Sequence, residues 1–257
     1  MSQPDENDLP LAVVRSGAGP SVVFIHGGLP ARITWARQSA LSARWSILIP
    51  SRRGFMPSPP ADRQDFLVDT RDLAELLQRE AGSVHLVGFS YGGLCAVLLA
   101  GQNAKLVRSL TVIESPFWVA AQGDPEVEAL ARLTDRFTEC VSDEQAGREF
   151  MAVAGIELDG IKQAAPDIVQ SLRLGRLFRS PREAVPKFDV IRKAGIPSLV
   201  VSGDHHPALE SVCDGLAREL GGRRVKLAGA GHAVPRAEGF NALLEAFLLD
   251  AESARSA

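Results

Sequence analysis

Long apolar runs are absent from this sequence: the longest, such as Leu94 to Ala100, fall far short of the roughly 20 residues that cross a bilayer, so no membrane helix is expected. Cysteine is scarce. Cys95, Cys140 and Cys213 are an odd number without metal-ligand spacing, which disfavours a disulfide framework and suits buried, reduced thiols in a cytoplasmic protein. Charge of one sign is not in excess either, since 28 Lys and Arg stand against 31 Asp and Glu for a net charge of −3. With no basic stripe to neutralise a phosphate backbone, nucleic acid is not an expected partner. The opening MSQPDENDLP has neither the basic start nor the apolar core of a secretory signal and reads as a loose tail, frayed over 1–8.

What is present describes an ordinary soluble globular chain. Its 257 residues, 46% of them hydrophobic, lie near the upper end of what one core supports, so one domain carrying an insertion is expected. Short β-branched runs alternate with helical patterns, the signal for an α/β fold with a largely parallel sheet covered on both faces. Leu11 to Arg15 and Ser21 to His26 read as two strands joined by Ser16-Gly17-Ala18-Gly19-Pro20 into an antiparallel hairpin. Trp45 to Pro50, Val84 to Phe89, Ser109 to Ile113, Ser198 to Ser202 and Val225 to Ala228 supply later strands. Phe66, Leu67, Leu73, Ala74, Leu76 and Leu77 recur at helical spacing, with Asp69 and Asp72 among the residues facing away. From Phe117 to about Lys187 the patterns are helical, and from Glu252 to Ala257 the chain is small and polar enough to fray.

The segment Gly88-Phe89-Ser90-Tyr91-Gly92-Gly93 lies between a strand run and a helical run. A nucleophile held at a tight strand-to-helix turn needs small residues two positions before and two after, and Gly88 and Gly92 meet that need. The Tyr91 N–H then stands at a helix N-terminus, able to stabilise an oxyanion. A serine hydroxyl is a weak nucleophile without a base. Of the five histidines, His232 in Gly229-Ala230-Gly231-His232-Ala233-Val234-Pro235 is the candidate, on a glycine-rich loop after the last strand. His85 reads as a satisfied core residue and His26, heading His26-Gly27-Gly28, as one that orders its loop. His205 and His206 alone do not complete a metal ligand set.

These segments resemble, in order and over nearly the whole chain, the motifs of the α/β-hydrolase superfamily: the oxyanion loop at His26-Gly27-Gly28, an R-G-x-G-x-S-like segment at Arg53-Gly54-Phe55-Met56-Pro57-Ser58, the nucleophile elbow at Gly88 to Gly92, and the histidine loop at Gly231-His232. The resemblance implies an α/β-hydrolase fold, a mostly parallel central sheet with helices on both faces, and a helical cap formed by the insertion at about 117–187. It implies Ser90 as nucleophile, His232 as base, and the backbone amides of Gly28 and Tyr91 as oxyanion hole. The acid departs from the common pattern, since His206 stands where many members carry aspartate. A subset, haloalkane dehalogenases among them, takes the acid from the strand after the nucleophile helix, where this chain offers Glu114 in Val112-Ile113-Glu114-Ser115-Pro116. Glu114 is the expected acid and Asp204 its competitor. Ser51 stands where many relatives have a structural aspartate. Arg52 and Arg53 read as a solvated or salt-bridged pair, with anion binding as the alternative, and Leu29, Phe117 and Trp118 are expected to line an apolar acyl pocket.

The expected activity is hydrolysis of a carboxylic ester or related acyl bond of a small, largely apolar molecule, without metal or organic cofactor. Serine at position 90 disfavours the dehalogenase and epoxide-hydrolase chemistries, which use a carboxylate nucleophile. The alternative is a ligand-binding or receptor-type homologue with little turnover, for which the missing aspartate at position 206 is the best argument.

Overall fold

The computed structural model describes residues 10–80, 82–139, 144–155 and 166–256. Cys140 and the expected loose tail over 1–8 lie outside them. The strands are β1 (Val13–Ser16), β2 (Ser21–Ile25), β3 (Ser46–Pro50), β4 (Val84–Phe89), β5 (Val107–Ile113), β6 (Ser198–Ser202) and β7 (Arg223–Lys226). The helices are α1 (Ala31–Thr34), α2 (Phe66–Gln78), α3 (Tyr91–Gln102), α4 (Pro125–Glu139), α5 (Glu144–Val153), α6 (Pro166–Gly175), α7 (Phe188–Lys193), α8 (Pro207–Leu220) and α9 (Phe240–Ser256). Among the described residues one sheet forms, ordered β1-β3-β2-β4-β5-β6-β7 and parallel except for β1.

The hairpin expected from Leu11 to His26 does not form. β1 pairs with β3, Val13 opposite Pro50, and β2 lies on the far side of β3. The cause is the link between them: Gly17 and Gly19, at φ 75° and 117°, pass so close to the chain ahead of β3 that a Cβ on either would stand 2.3 Å from Trp45 O or Arg44 O. The link therefore crosses the start of β3 instead of folding β1 back on β2. β7 begins at Arg223 rather than Val225 because its register with β6 sets Arg223 against Leu199 and Lys226 against Ser202.

Alternate residues of the parallel strands enter two cores, as period-two geometry requires of a sheet covered on both faces. Val23, Ile25, Leu86, Val112 and Val200 pack toward α2, α3 and α8, while Val22, Phe24, Val87, Ile113 and Val201 pack toward α9 and Trp45. α2 starts where the Asp65 side chain accepts the Leu67 N–H. It buries Phe66, Leu73, Leu76 and Leu77, but its polar side does not face away: Asp69 and Asp72 are buried too, and Leu67 is exposed. Arg52 and Arg53, ahead of the helix, draw the two carboxylates inward through ion pairs of 2.6 and 2.8 Å. Between β5 and β6 the chain runs through α4 to α7, and among the described residues its one extended pairing is the isolated bridge of Gln64 with Phe178.

Ala257 lies outside the described residues, and over 252–256, where fraying is expected from the sequence, α9 continues as helix to Ser256. Its Glu252 carboxylate accepts from Arg108 Nη1 at 2.8 Å and from the buried His85 Nε2 at 3.1 Å, and His85 Nδ1 accepts the Ser109 hydroxyl at 2.7 Å. His85 is thus a core histidine with both nitrogens bonded. No helix among the described residues is long and apolar enough to cross a membrane. Glu252→Ala removes the acceptor that His85 and Arg108 share and is expected to lower the unfolding free energy by about 1–3 kcal/mol, read from urea denaturation. An unchanged midpoint would mean that the apolar face of α9 docks the helix alone.

Candidate active site

β4 ends and α3 begins on either side of Ser90, which sits at φ 51° and ψ −126°, a backbone conformation that side-chain-bearing residues rarely adopt. The turn closes because its neighbours project nothing: a Cβ on Gly88 would stand 2.6 Å from Ala96 Cβ, and one on Gly92 would stand 2.3 Å from His26 O. The Ser90 N–H donates to Ile113 O at 2.8 Å, tying the turn to β5. The Tyr91 N–H opens α3 and has no carbonyl one turn earlier within the helix to receive it.

His232 Nε2 lies 3.2 Å from Ser90 Oγ, and His232 Nδ1 lies 3.1 Å from Glu114 Oε2. A carboxylate only accepts, so Nδ1 carries the proton and Nε2 keeps its lone pair for the serine hydroxyl. Glu114 follows the last residue of β5 at φ 47° with 1% of its surface exposed, and its Oε1 accepts the Gly203 N–H at 2.6 Å. The Phe89 ring leans on the imidazole at 4.9 Å between centroids. His232 rides on the 3₁₀ turn Gly231–Arg236. That turn approaches β6 so closely that a Cβ on Gly203 would stand 1.8 Å from Gly231 O. Gly203 is a positioning element, and a glycine at a strand end is its signal in the sequence.

Asp204, the competing acid, is exposed at φ 58° and meets Lys226 Nζ at 3.4 Å, while the hydrogen bond on His232 Nδ1 goes to Glu114. His206 caps α8, its Nδ1 accepting the Ala208 N–H at 3.2 Å. His205, which no motif pointed to, joins the cluster: its Nδ1 is 3.6 Å from Glu114 Oε2 and its Nε2 is 3.2 Å from Val153 O on α5.

The loop His26-Gly27-Gly28 is held from beneath. The fully buried Arg52 guanidinium donates to His26 O at 2.9 Å, Gly27 O at 2.6 Å, Gln64 Oε1 at 2.7 Å and Asp69 Oδ2 at 2.6 Å. Its central carbon also lies 4.8 and 5.2 Å from the Phe55 and Tyr91 ring centroids. Arg52 and Arg53 are therefore internal ion-pair partners, and the anion-binding alternative falls away. His26 accepts the Arg52 backbone N–H on Nε2 at 3.0 Å and so carries its proton on Nδ1, facing Gly27 O. Burial, and then the Arg52 charge, hold its pKa well below the usual histidine value. Gly28 has no atom within 4 Å of where a Cβ would stand, and with Tyr91 it borders the cavity above Ser90.

That cavity holds about 180 Å³ and is walled by Leu29, Phe89, Trp118, Leu130, Met151 and Leu172, with α4, α5 and α6 opposite the serine. Phe117 does not line it. It is fully buried in the core, edge-on to Phe188 at 6.0 Å between centroids. Cys95 and Cys213 are buried with their thiol pKa values pushed far up by desolvation, which makes them inert fillers.

The His26 shift has a sign that can be tested. Because the folded state keeps His26 neutral while the unfolded chain protonates below about pH 6.5, its contribution is complete above that pH and is lost as pH falls through it, at about 1.4 kcal/mol per unit. The unfolding free energy of wild type is expected to fall more steeply from pH 7 to pH 5 than that of His26→Gln. Parallel slopes would remove His26 from the acid sensitivity.

Comparison with known proteins agrees with the fold. The profile of the alpha/beta hydrolase family matches residues 22–243. The chain is 31% identical over 121 residues to the pimeloyl-[acyl-carrier protein] methyl ester esterase of Aeromonas hydrophila, covering 46% of each protein. It is 37% identical over 108 residues to an epoxide hydrolase of Caballeronia sordidicola, covering 40% of this chain and 31% of that one. The matches thus span less than half the length of these curated relatives. Among solved structures, a carboxylesterase of the thaumarchaeon Nitrososphaera gargenis superposes with a TM-score of 0.74 at 15% identity, covering 99% of both chains. The Bacillus megaterium epoxide hydrolase superposes at 0.69 and 18% identity, covering 93% of this chain and 96% of that one. At such identities the likeness is one of fold. With the family profile spanning most of the sequence, the chain belongs to the alpha/beta hydrolase family.

Proposed function

We propose that the chain is a serine hydrolase that cleaves a carboxylic ester, or a related acyl bond, of a small and largely apolar substrate. The observation that carries this is the unbroken hydrogen-bond chain from Ser90 through His232 to Glu114 at the edge of an apolar cavity. His232 Nε2 takes the Ser90 proton as Oγ attacks the carbonyl carbon, and the buried Glu114 carboxylate stabilises the imidazolium that forms. The Tyr91 and Gly28 amides receive the oxyanion. The imidazolium then protonates the leaving alcohol, and water deprotonated by the same ring attacks the acyl-serine to release the acid. Within the insertion expected at about 117–187, the described helices α4, α5 and α6 act as a cap that bounds the space for the acyl group.

The likeness to a methyl ester esterase supports an ester substrate. The likeness to epoxide hydrolases carries less weight, because Ser90 stands where that chemistry uses a carboxylate. The receptor-type alternative took its strength from the missing aspartate at position 206, and Glu114 fills the role that such an acid would have on His232.

A fluorophosphonate probe is expected to label the wild type and neither Ser90→Ala nor His232→Ala. On nitrophenyl esters, Ser90→Ala and Glu114→Gln are each expected to lose on the order of 10⁴-fold in kcat. Asp204→Asn, by contrast, should keep its rate. An unlabelled wild type would favour the receptor-type protein, and a full-rate Glu114→Gln would remove Glu114 from the triad.

A further inference from the structure

His205 has no part in the acyl transfer proposed above, yet it stands against the acid. Its Nε2 lies 3.2 Å from Val153 O, and since a carbonyl only accepts, Nε2 bears the proton and the Nδ1 of the neutral ring is a bare lone pair. That lone pair faces Glu114 Oε2 at 3.6 Å, beyond hydrogen-bond length. His232 Nδ1 lies 3.1 Å from the same oxygen, and one donor atom from each of the three residues lies within 4.8 Å of the other two. A neutral imidazole nitrogen and a carboxylate oxygen at this separation each carry a lone pair, and one cation between them satisfies both.

We propose that Glu114, His205 and His232 form a site for a divalent cation of the zinc class, and that its occupation switches the hydrolase off. A tetrahedral zinc ion with ligands at about 2.0–2.1 Å spaces those ligands about 3.4 Å apart. Two of the three separations here are already near that length, and a turn of His205, the more exposed imidazole, closes the third. Two imidazoles and one carboxylate suit zinc better than calcium or magnesium, which prefer all-oxygen sets. The His205 Nε2–H bonded to a backbone carbonyl is the outer contact that metal-bound histidines characteristically make, and the exposed His205 edge of the cluster leaves a fourth position for water.

The inhibitory half rests on His232 being the base. Coordination requires the Nδ1 lone pair of His232, so its proton moves to Nε2 and faces Ser90 Oγ as a donor. No base is then left to accept the serine proton, and the bond from Nδ1 to Glu114 is replaced by the ion. The cation acts here as an inhibitor and takes no part in the reaction.

The test is a titration of untagged Cys140→Ser protein with zinc chloride, so that no thiol outside the described residues competes. Bound metal is read by equilibrium dialysis, and activity by the rate of fluorophosphonate labelling. One zinc per chain is expected, also in Ser90→Ala, with labelling slowed ~100-fold at saturation and restored by EDTA. In His205→Ala, and in His205→Gln, which keeps a polar group near Val153, the zinc concentration for half-binding is expected to rise at least ~10-fold, each variant being compared with its own metal-free rate. Absence of binding, or binding that both His205 variants leave unchanged, overturns the site. One zinc bound and lost in the variants while labelling proceeds at full rate would overturn the switch and, with it, the role of His232 as base, leaving the site standing.

Discussion

Everything at this site depends on how closely the start of α3 approaches the end of β2. Gly92 packs against the carbonyls of Ile25 and His26 at distances that no Cβ could share, and Gly88 does the same against Ala96. That contact forces Ser90 into its rare backbone conformation and lifts its side chain clear of the sheet edge. It also sets the His26-Gly27-Gly28 loop beside the first amide of α3, so Ser90 and the groups proposed to receive the oxyanion are positioned by a single close contact. The strain is carried by a well-packed surrounding, since α3 is buried from Tyr91 to Gly101 between the sheet and α2.

A loop approached so closely must itself be rigid, and a buried charge makes it so. Arg52 is fully desolvated, which would be costly for an unpaired guanidinium, but its donors meet two loop carbonyls, Gln64 and Asp69. The same residue presents its backbone N–H to His26 and fixes that ring's tautomer. One side chain thereby joins the end of β2, the segment after β3 and α2 into a frame beneath the His26-Gly27-Gly28 loop. Arg52 on Asp69, with Arg53 on Asp72, also explains why α2 turns two aspartates inward, against its amphipathic pattern.

The motifs whose meaning lies in consecutive residues were legible. Gly88 to Gly92 and Gly229 to Pro235 have the local geometry their spacing suggested, and the apolar runs of β2, β4, β5 and β6 became buried parallel strands because both faces of such strands need side chains of that kind. Where a neighbour from elsewhere decided the outcome, local pattern failed. β1 left β2 for β3, Phe117 turned into the core beside α7 instead of the cavity, and the polar end of α9 stayed helical because Glu252 found His85 and Arg108.

By itself, then, the sequence determined the α/β architecture and marked Ser90 and His232 as candidates, since strand burial, helix periodicity and a glycine-flanked elbow are properties of contiguous residues. Only the tertiary structure decided that Glu114 rather than Asp204 meets His232, that Arg52 serves the loop and that His205 stands against the acid. Glu114 and His232 are 118 residues apart. Which carboxylate meets the imidazole depends on where β5 and β6 end relative to one another and on the direction the backbone takes as it leaves them, and that direction is fixed by packing across the sheet.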